Sequence, residues 1–145
     1  MSLRTSLIAD GAHVNAQRPW SRAIVSAEVW QRAARAAGDG LATMLGLWSD
    51  GAAVHLCLGE EPISAPFVVS LHCSSGRFPS VAQWHAPADR LERSICDLYG
   101  LTAEGAPDTR PWLDHGRWGL RHPLGERTSV PADGARYDFR SAEGP

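Results

Sequence analysis

Apolar residues at helical spacing mark the first firm element of the chain, at residues 27–38. This alanine-rich run carries its larger apolar side chains, Val29 and Trp30, on one face of the predicted helix. Ser26 precedes the run and can accept a hydrogen bond from its first turn. Val25 and Trp30 stand at the two positions of a hydrophobic staple. The pattern therefore predicts a helix with a defined start.

Alternating apolar and polar residues then predict three strands, at residues 41–48, 52–58 and 67–73. Asp50 and Gly51 separate the first two strands, and this dipeptide is a strong signal for a hairpin turn. In the third strand every second residue is apolar, which indicates that one face of the strand is buried.

Two further segments carry weaker patterns. Residues 3–8 favour an edge strand, and residues 78–85 favour a short helical turn. Strands joined by hairpins, with helices before and after them, are typical of an α+β fold. We therefore predict a two-layer α+β domain over residues 1–104, with an antiparallel or mixed β-sheet and helices on one face.

A second helix with clear ends is predicted at residues 87–100. Pro87 suits the first turn, where its missing N–H costs nothing, and Gly100 suits the left-handed position after the last turn. Arg93 lies four residues from both Asp89 and Asp97, so it can pair in either direction. Glu92 has arginine neighbours, and a salt bridge is its simplest role. The apolar face predicted for this helix consists of Leu91, Ile95, Leu98 and Tyr99.

From residue 105 onward glycine and proline recur every few residues, which predicts an extended irregular C-terminal tail over residues 105–145. The tail nevertheless carries large apolar side chains such as Trp112 and Trp118, which are poor residues to leave in water. Aromatic residues interleaved with arginines are typical of protein–protein interfaces. The alternative is that this strip folds back on the chain's own sheet. The interleaved charged residues are Asp108, Arg110, Asp114, Arg117 and Arg121.

Composition narrows the function classes. A formal net charge of −2 over 145 residues argues against nucleic acid as a partner. No apolar run approaches the roughly 20 residues that span a bilayer, and the first residues do not read as a signal peptide. Three widely spaced cysteines fit reduced thiols in a cytoplasmic protein better than a disulfide framework.

A small metal-dependent enzyme is one alternative, because His55, Cys57, His72 and Cys73 lie on neighbouring predicted strands and offer ligands that zinc or copper accepts. The spacing matches no known ligand motif, and cysteine is often simply a small buried apolar residue.

A thiol nucleophile is a weaker possibility, pairing Cys96 with His85 or His115. Cys96 lies near a predicted helix C-terminus and lacks activating charge, so burial explains it better. The sequence contains neither a GxSxG nor a phosphate-loop motif. We expect no catalytic residues on this chain.

Three consecutive motifs carry a resemblance to a known family. They read ERSICDLYGL from Glu92, GAPDTRPWL from Gly105 and RWGLRHPLG from Arg117. Together they resemble the 30-kDa subunit of respiratory NADH dehydrogenase, a domain also found in membrane-bound [NiFe]-hydrogenase and formate hydrogenlyase complexes. The resemblance is strong over residues 78–125.

Three positions depart from the family pattern. Ser94 replaces the second glutamate of the E-R-E signature, Ala106 replaces a histidine before the PDxR pattern, and residues 122–127 read HPLGER. The phrase RPWLDHGRW is closer to the hydrogenase-type branch than to the standard dehydrogenase branch.

The resemblance implies a non-catalytic structural or assembly subunit of an electron-transferring oxidoreductase. It implies no iron–sulfur cluster, flavin, nickel or other cofactor on this chain, and it implies docking on a large subunit, 49-kDa-like or [NiFe]-hydrogenase-like, with iron–sulfur subunits nearby. It further implies a peripheral position on the cytoplasmic face of the membrane. A stand-alone protein–protein interaction module is the remaining alternative.

The residues assigned to the family motif and the partner interface form one predicted surface that joins the end of the second helix to the tail. Arg93 and Arg110, with Asp97 and Asp108, are expected to orient the tail through arginine–carboxylate pairs. The full set is Glu92, Arg93, Asp97, Tyr99, Gly100, Pro107, Asp108, Arg110, Trp112, Trp118, His122 and Pro123.

Overall fold

The computed structural model describes residues 2–15, 18–60 and 65–132. The helices are α1 (Leu3–Ala9), α2 (Ala27–Gly38) and α3 (Asp89–Tyr99), and a short 3-10 turn (Ala86–Ala88) leads into α3. The strands are β1 (Ala12–His13), β2 (Ser21–Ile24), β3 (Thr43–Ser49), β4 (Ala53–Gly59), β5 (Phe67–His72), β6 (Arg77–Pro79), β7 (Thr102–Glu104), β8 (Leu120–Arg121) and β9 (Thr128–Ser129).

A five-stranded mixed sheet organises the domain, in the order β1-β2-β5-β4-β3. Only the β2–β5 pair within it is parallel, and β3, β4 and β5 form the antiparallel meander that the alternating pattern predicts. Two small pairs lie outside this sheet, β6 with β7 and β8 with β9.

All three helices contribute buried side chains to one apolar core, opposite one face of the sheet. Trp30 of α2 lies near its centre, fully buried, with its ring N–H donating to the Pro79 carbonyl at 2.9 Å and its ring edge against Phe78. The predicted α+β fold with helices on one face is confirmed. The sheet residues on the core face include Leu47, Val54, Leu56, Leu58, Phe67, Val69 and Leu71.

Two element predictions are wrong. Residues 3–8 belong to helix α1 rather than to an edge strand, because Ser2 caps the helix at the Thr5 amide and Leu7 is buried in the core. Residues 77–79 form strand β6 rather than part of a helical turn, because their backbone pairs with β7. A hydrogen-bonded turn follows, in which the amides of Trp84 and His85 donate to the Val81 carbonyl.

The buried face of α3 also differs from the prediction. Leu91 is 37% exposed, whereas Glu92 is 1% exposed, Arg93 is 7% exposed and Ile95 is 4% exposed. The helix is therefore rotated so that a glutamate and an arginine face inward, which apolar spacing alone does not reveal.

Candidate functional site

Residues 106–130, here called the strap, run from the end of β7 back along α3. The strap contains the small β8–β9 hairpin. It contacts α3 at three successive positions along the helix. The tail that the sequence predicts therefore folds back in its described part, and it does so on α3 rather than on the sheet.

Arg93 makes the first of these contacts. Its Nε donates to the Arg110 carbonyl at 2.7 Å, and its Nη2 donates to the Pro111 carbonyl at 3.1 Å. Its Nη1 lies 3.2 Å from the Asp108 carboxylate and 3.3 Å from that of Asp89. A planar guanidinium suits this task because it can serve several acceptors at once in fixed directions.

Asp108 is the acidic centre of the same contact, with a side chain only 8% exposed. Its carboxylate accepts hydrogen bonds from the Arg110 amide at 3.0 Å and from Arg110 Nη2 at 2.8 Å. Hydrogen bonding to the Arg110 side chain is the main reason that the pKa of Asp108 lies well below its ordinary value, although burial opposes the shift. Asp108 is therefore ionised throughout the neutral range.

Asp97 makes the second contact. Its Oδ2 accepts from the backbone amides of Trp112 at 2.7 Å, Leu113 at 2.6 Å and Asp114 at 3.4 Å. The predicted pairing of Arg93 with Asp89 is present, but the pairing with Asp97 is not, because the strap amides occupy that carboxylate. Asp97 thus orients the tail as predicted, through backbone rather than arginine donors.

The third contact covers the C-terminus of α3. Gly100 adopts the left-handed conformation, with φ of 76°, as its predicted capping position requires. The Leu124 amide donates to the Leu98 carbonyl at 2.9 Å, and the His122 ring lies against Gly100. Carbonyls that a helix end leaves unpaired are thereby satisfied by the strap.

Glu92 lies in the interior, and its predicted salt-bridge role is wrong. Ser80 Oγ donates to Oε2 at 2.7 Å, while the amides of Val81 and Ala82 donate to Oε1. Burial raises the pKa of Glu92, and these hydrogen bonds counteract only part of the increase. This motif residue fixes α3 to the turn after β6 and has no surface to offer a partner.

The outward side of α3 and the strap exposes several large apolar side chains. The Trp112 ring has the guanidinium carbons of Arg90 and Arg93 at 4.8 and 5.2 Å from its centre, and yet remains 37% exposed. We call this surface the strap face. Its apolar members are Leu91, Trp112, Leu113, Trp118 and Leu124, which are 37–58% exposed.

A cavity of about 190 Å³ lies between α3 and the start of the strap, with Cys96, Leu101, Ala103 and Ala106 among its lining residues. Cofactor and ligand pockets usually measure about 300–1,000 Å³. This cavity is too small for a flavin or nucleotide.

The alternative metal site does not form in the described part of the chain. His55 and Cys57 lie on the helix-free face of the sheet, whereas Cys73 lies in the core. The His55 ring nitrogens are engaged with Ser70 and Asp50. Among the described residues, no three His, Cys, Asp or Glu side chains are placed to hold a metal ion.

The structure does not support Cys96 as a thiol nucleophile either. Cys96 packs against the core, and burial raises the pKa of its thiol. A nucleophilic cysteine needs the opposite shift. His115 contacts the Trp112 carbonyl through its Nε2 at 3.1 Å.

None of the helices in the described ranges is both long and apolar enough to cross a membrane.

Comparison with known proteins gives a family match and several structural neighbours. The family described as "Respiratory-chain NADH dehydrogenase, 30 Kd subunit" matches residues 25–134. No curated protein matches the chain.

Among solved structures, a trypsin-resistant fragment (1–134) of Nqo5 has a TM-score of 0.60 and 21% identity, covering 74% of this chain and 99% of the fragment. A chain from the membrane-bound sulfane sulfur reductase, an archaeal respiratory membrane complex, has a TM-score of 0.49 and 14% identity, covering 71% of this chain and 69% of that one. The first neighbour independently supports the fold.

Proposed function

This chain belongs to the 30 Kd subunit family of respiratory-chain NADH dehydrogenase, and from that membership we propose that it is a non-catalytic structural subunit that docks on the large subunit of its complex through the strap face. The large subunit is of the 49-kDa or [NiFe]-hydrogenase type, with iron–sulfur subunits beside it. Iron–sulfur, flavin and nickel centres belong to those partners in this proposal, and the complex holds the chain at the cytoplasmic face of the membrane.

The observation that carries the proposal is the preformed strap face. Trp112, Leu113 and Trp118 are 37–40% exposed. The Trp112 and Leu113 amides are nevertheless fixed by Asp97, and the Trp118 amide donates to Asp114 Oδ1 at 3.4 Å. Exposed aromatic residues on a rigid backbone favour binding, because little conformational entropy is lost when a partner covers them. Tryptophan and arginine are also the residues enriched at interface hot spots.

A co-purification from native membranes tests this proposal. The tagged full chain is compared with Trp112→Ala, Trp118→Ala and the matched control Trp20→Ala, and the large subunit retained by each is measured. Trp20 is similarly exposed, at 44%, but it precedes β2, which lies near one edge of the sheet. Helix α3 packs against β3, which is the strand at the opposite edge.

We expect Trp112→Ala to reduce retention about tenfold or more, as the loss of a hot-spot residue does, while Trp20→Ala retains the wild-type amount. Circular dichroism of each purified variant confirms that the domain is folded. Equal retention by all variants would refute docking through the strap face, and recovery of the chain without any complex subunit would favour a stand-alone interaction module.

A further inference from the structure

A chain of hydrogen bonds crosses the helix-free face of the sheet. Arg22 Nε on β2 donates to Ser70 Oγ on β5 at 2.8 Å, and Ser70 Oγ lies 2.8 Å from His55 Nδ1 on β4. His55 Nε2 lies 3.2 Å from Asp50 Oδ2 in the β3–β4 turn. Burial lowers the pKa of His55, which favours the neutral ring. Because an ionised carboxylate can only accept, the ring N–H is on Nε2 and points at Asp50, and Nδ1 then accepts from the Ser70 hydroxyl.

This Ser–His–Asp arrangement is not a hydrolytic centre. Ser70 is 0% exposed and lies in the interior of a paired strand, so no substrate carbonyl can reach its hydroxyl. The arrangement instead ends at the surface, at the carboxylate of Asp50, which is 56% exposed.

Asp50 is fixed on both of its carboxylate oxygens. Oδ1 accepts from the amides of Ala52 at 3.0 Å and Ala53 at 2.8 Å, and Oδ2 faces His55. Burial acts to raise the pKa of Asp50, but these hydrogen bonds outweigh it and the pKa lies below its ordinary value. The turn therefore presents a carboxylate that is ionised at neutral pH and held in a set orientation.

Trp48 contacts the imidazole with which Asp50 pairs. Its ring stacks on the His55 ring with centroids 5.3 Å apart and planes at 35°, and the side chain is 42% exposed. Trp48 and Asp50 thus contact the same imidazole, Trp48 through its ring and Asp50 at Nε2, so a partly exposed indole and a fixed carboxylate are separated by one side chain.

We propose that Trp48 and Asp50 together receive one arginine side chain from a neighbouring subunit of the complex. The guanidinium lies over the exposed indole and pairs with the carboxylate. This inference rests on the proposed function, since it takes the occupant from the same complex.

Charge complementarity identifies the occupant. A cation over a tryptophan ring is attracted by the ring quadrupole, and a guanidinium can stack on the ring while its N–H groups pair with a carboxylate in its plane. Lysine, whose ammonium group is a compact point charge, cannot satisfy both features in the same way.

The position of the turn supports a partner from the same assembly. A Cβ added at Gly51 would lie 3.3 Å from the Tyr99 ring at the end of α3. The end of α3 thus lies between the β3–β4 turn, at Tyr99, and the strap residues His122 and Leu124 that cover it. A partner that covers this end of the strap face can extend onto Trp48 and Asp50.

The buried network explains how the pair keeps its geometry. Polar side chains at central strand positions are costly unless every member is hydrogen-bonded. Here Arg22, Ser70 and His55 form a connected chain whose surface end is Asp50. The arrangement holds the carboxylate and the stacked indole before the partner arrives, which reduces the ordering cost of binding.

Site-specific photo-crosslinking within the assembled complex tests the inference. A benzoylphenylalanine replaces Trp48 in the tagged full chain in one sample and Trp112 in another, and membranes are irradiated before purification. Mass spectrometry then identifies the crosslinked peptides. We expect the probe at position 48 to capture a peptide of a complex subunit that contains an arginine next to the crosslinked residue.

Variants supply the second readout. Asp50→Asn keeps the acceptor for the Ala52 and Ala53 amides but removes the charge, and we expect retention of the captured subunit to fall about threefold to tenfold, as for loss of a partly exposed charge pair. Replacing the captured arginine by glutamate in an Asp50→Lys background should restore retention. Trp20→Ala serves as the control.

A crosslink from position 112 but none from position 48 would overturn this inference and leave docking through the strap face intact. A peptide captured at position 48 without a neighbouring arginine, or failure of the charge exchange to restore retention, would also overturn it. A crosslink from position 48 alone would support the arginine receptor while refuting the proposed strap-face docking.

Discussion

Three carboxylates of the α3 region differ in what donates hydrogen bonds to them, and this difference determines what each can do. Asp108 receives the Arg110 guanidinium and stays ionised, although its side chain is only 8% exposed. Asp97 receives backbone amides and fixes the course of the strap. Glu92 receives one hydroxyl and two amides in the interior, where no cation compensates its charge. The first two therefore hold the strap face in place, and the third fixes α3 to the turn after β6.

The environment of Glu92 gives a prediction on stability. In Glu92→Gln the amide oxygen can accept from Val81 and Ala82 while the amide nitrogen donates to Ser80 Oγ, so we expect little loss of unfolding free energy. Glu92→Ala leaves three buried donors without an acceptor and should cost about 3 kcal/mol or more. Urea denaturation of the isolated chain measures both values, with the exposed Glu28→Gln as the control for charge.

The pH dependence of the same variants provides a check. Because the pKa of Glu92 is higher in the folded chain than its ordinary value of 4.5, the folded state binds the proton more tightly. Its contribution to stability is fully present below pH 4.5 and is lost as pH rises through the folded pKa. Glu92→Gln should remove this part of the pH dependence. An identical pH profile in both proteins would contradict the assignment of Glu92 as an ionising interior group.

At the scale of the element, α3 shows what sequence can and cannot predict. Its C-terminus is legible, because Gly100 is the residue type that a left-handed cap requires. Its buried face is not predictable, because the strap and the turn after β6 supply partners to Glu92 and Arg93 from residues 10 to 18 positions away in sequence. Leu91 is consequently displaced to the surface. Helical periodicity assumes that the apolar face is the buried one, and long-range polar partners override that assumption here.

Gly100 offers a test of how closely the strap covers the helix end. An alanine there would be strained by the left-handed backbone conformation, and its Cβ would also lie 2.9 Å from the His122 ring. Gly40 has a similar φ of 73° with nothing within 4 Å, so Gly40→Ala measures the backbone cost alone. We expect Gly40→Ala to cost about 1 kcal/mol and Gly100→Ala to cost more.

In a His122→Ala background the contact with the ring is absent. Gly100→Ala should there lower the stability by the same amount as Gly40→Ala lowers that of the wild type. Thermal denaturation of five proteins gives the comparison: the wild type, Gly40→Ala, Gly100→Ala, His122→Ala and the double variant. Equal losses for Gly40→Ala and Gly100→Ala would mean that the strap does not press on the helix end.

At the scale of the molecule, the helices pack on one face of the sheet only. Two surfaces are then available to partners, the strap face and the helix-free face of the sheet. The apolar alternation of β4 and β5 was sufficient to predict the sheet and its covered side. The aromatic and arginine content of the tail predicts a docking strip, which stays a prediction, and it gave no indication of the helix on which the tail folds. The Arg22–Ser70–His55–Asp50 chain gave no sequence signal, because its members come from three strands and a turn and meet only through strand register. The boundary between residues 1–104 and 105–145 stays a prediction.

The remaining question at this scale is whether the strap and the core form one cooperative unit, and the contacts favour a strap that opens separately. The strap is held mainly by hydrogen bonds at Arg93, Asp97 and the end of α3, and its large side chains are partly exposed. The core, in contrast, is held by fully buried apolar side chains.

Asp97→Ala should therefore speed hydrogen exchange of the Leu124 amide, which Asp97 does not contact. We expect an increase of about 10- to 100-fold, because a charged acceptor worth about 1.5–3 kcal/mol is lost. The core amides of Leu56 and Val69 should keep their wild-type exchange rates, and Asp97→Asn, which retains an acceptor oxygen, should fall between. Faster exchange in the core as well would show that strap and core unfold together, and an unchanged Leu124 amide would show that the contacts along α3 open independently of one another.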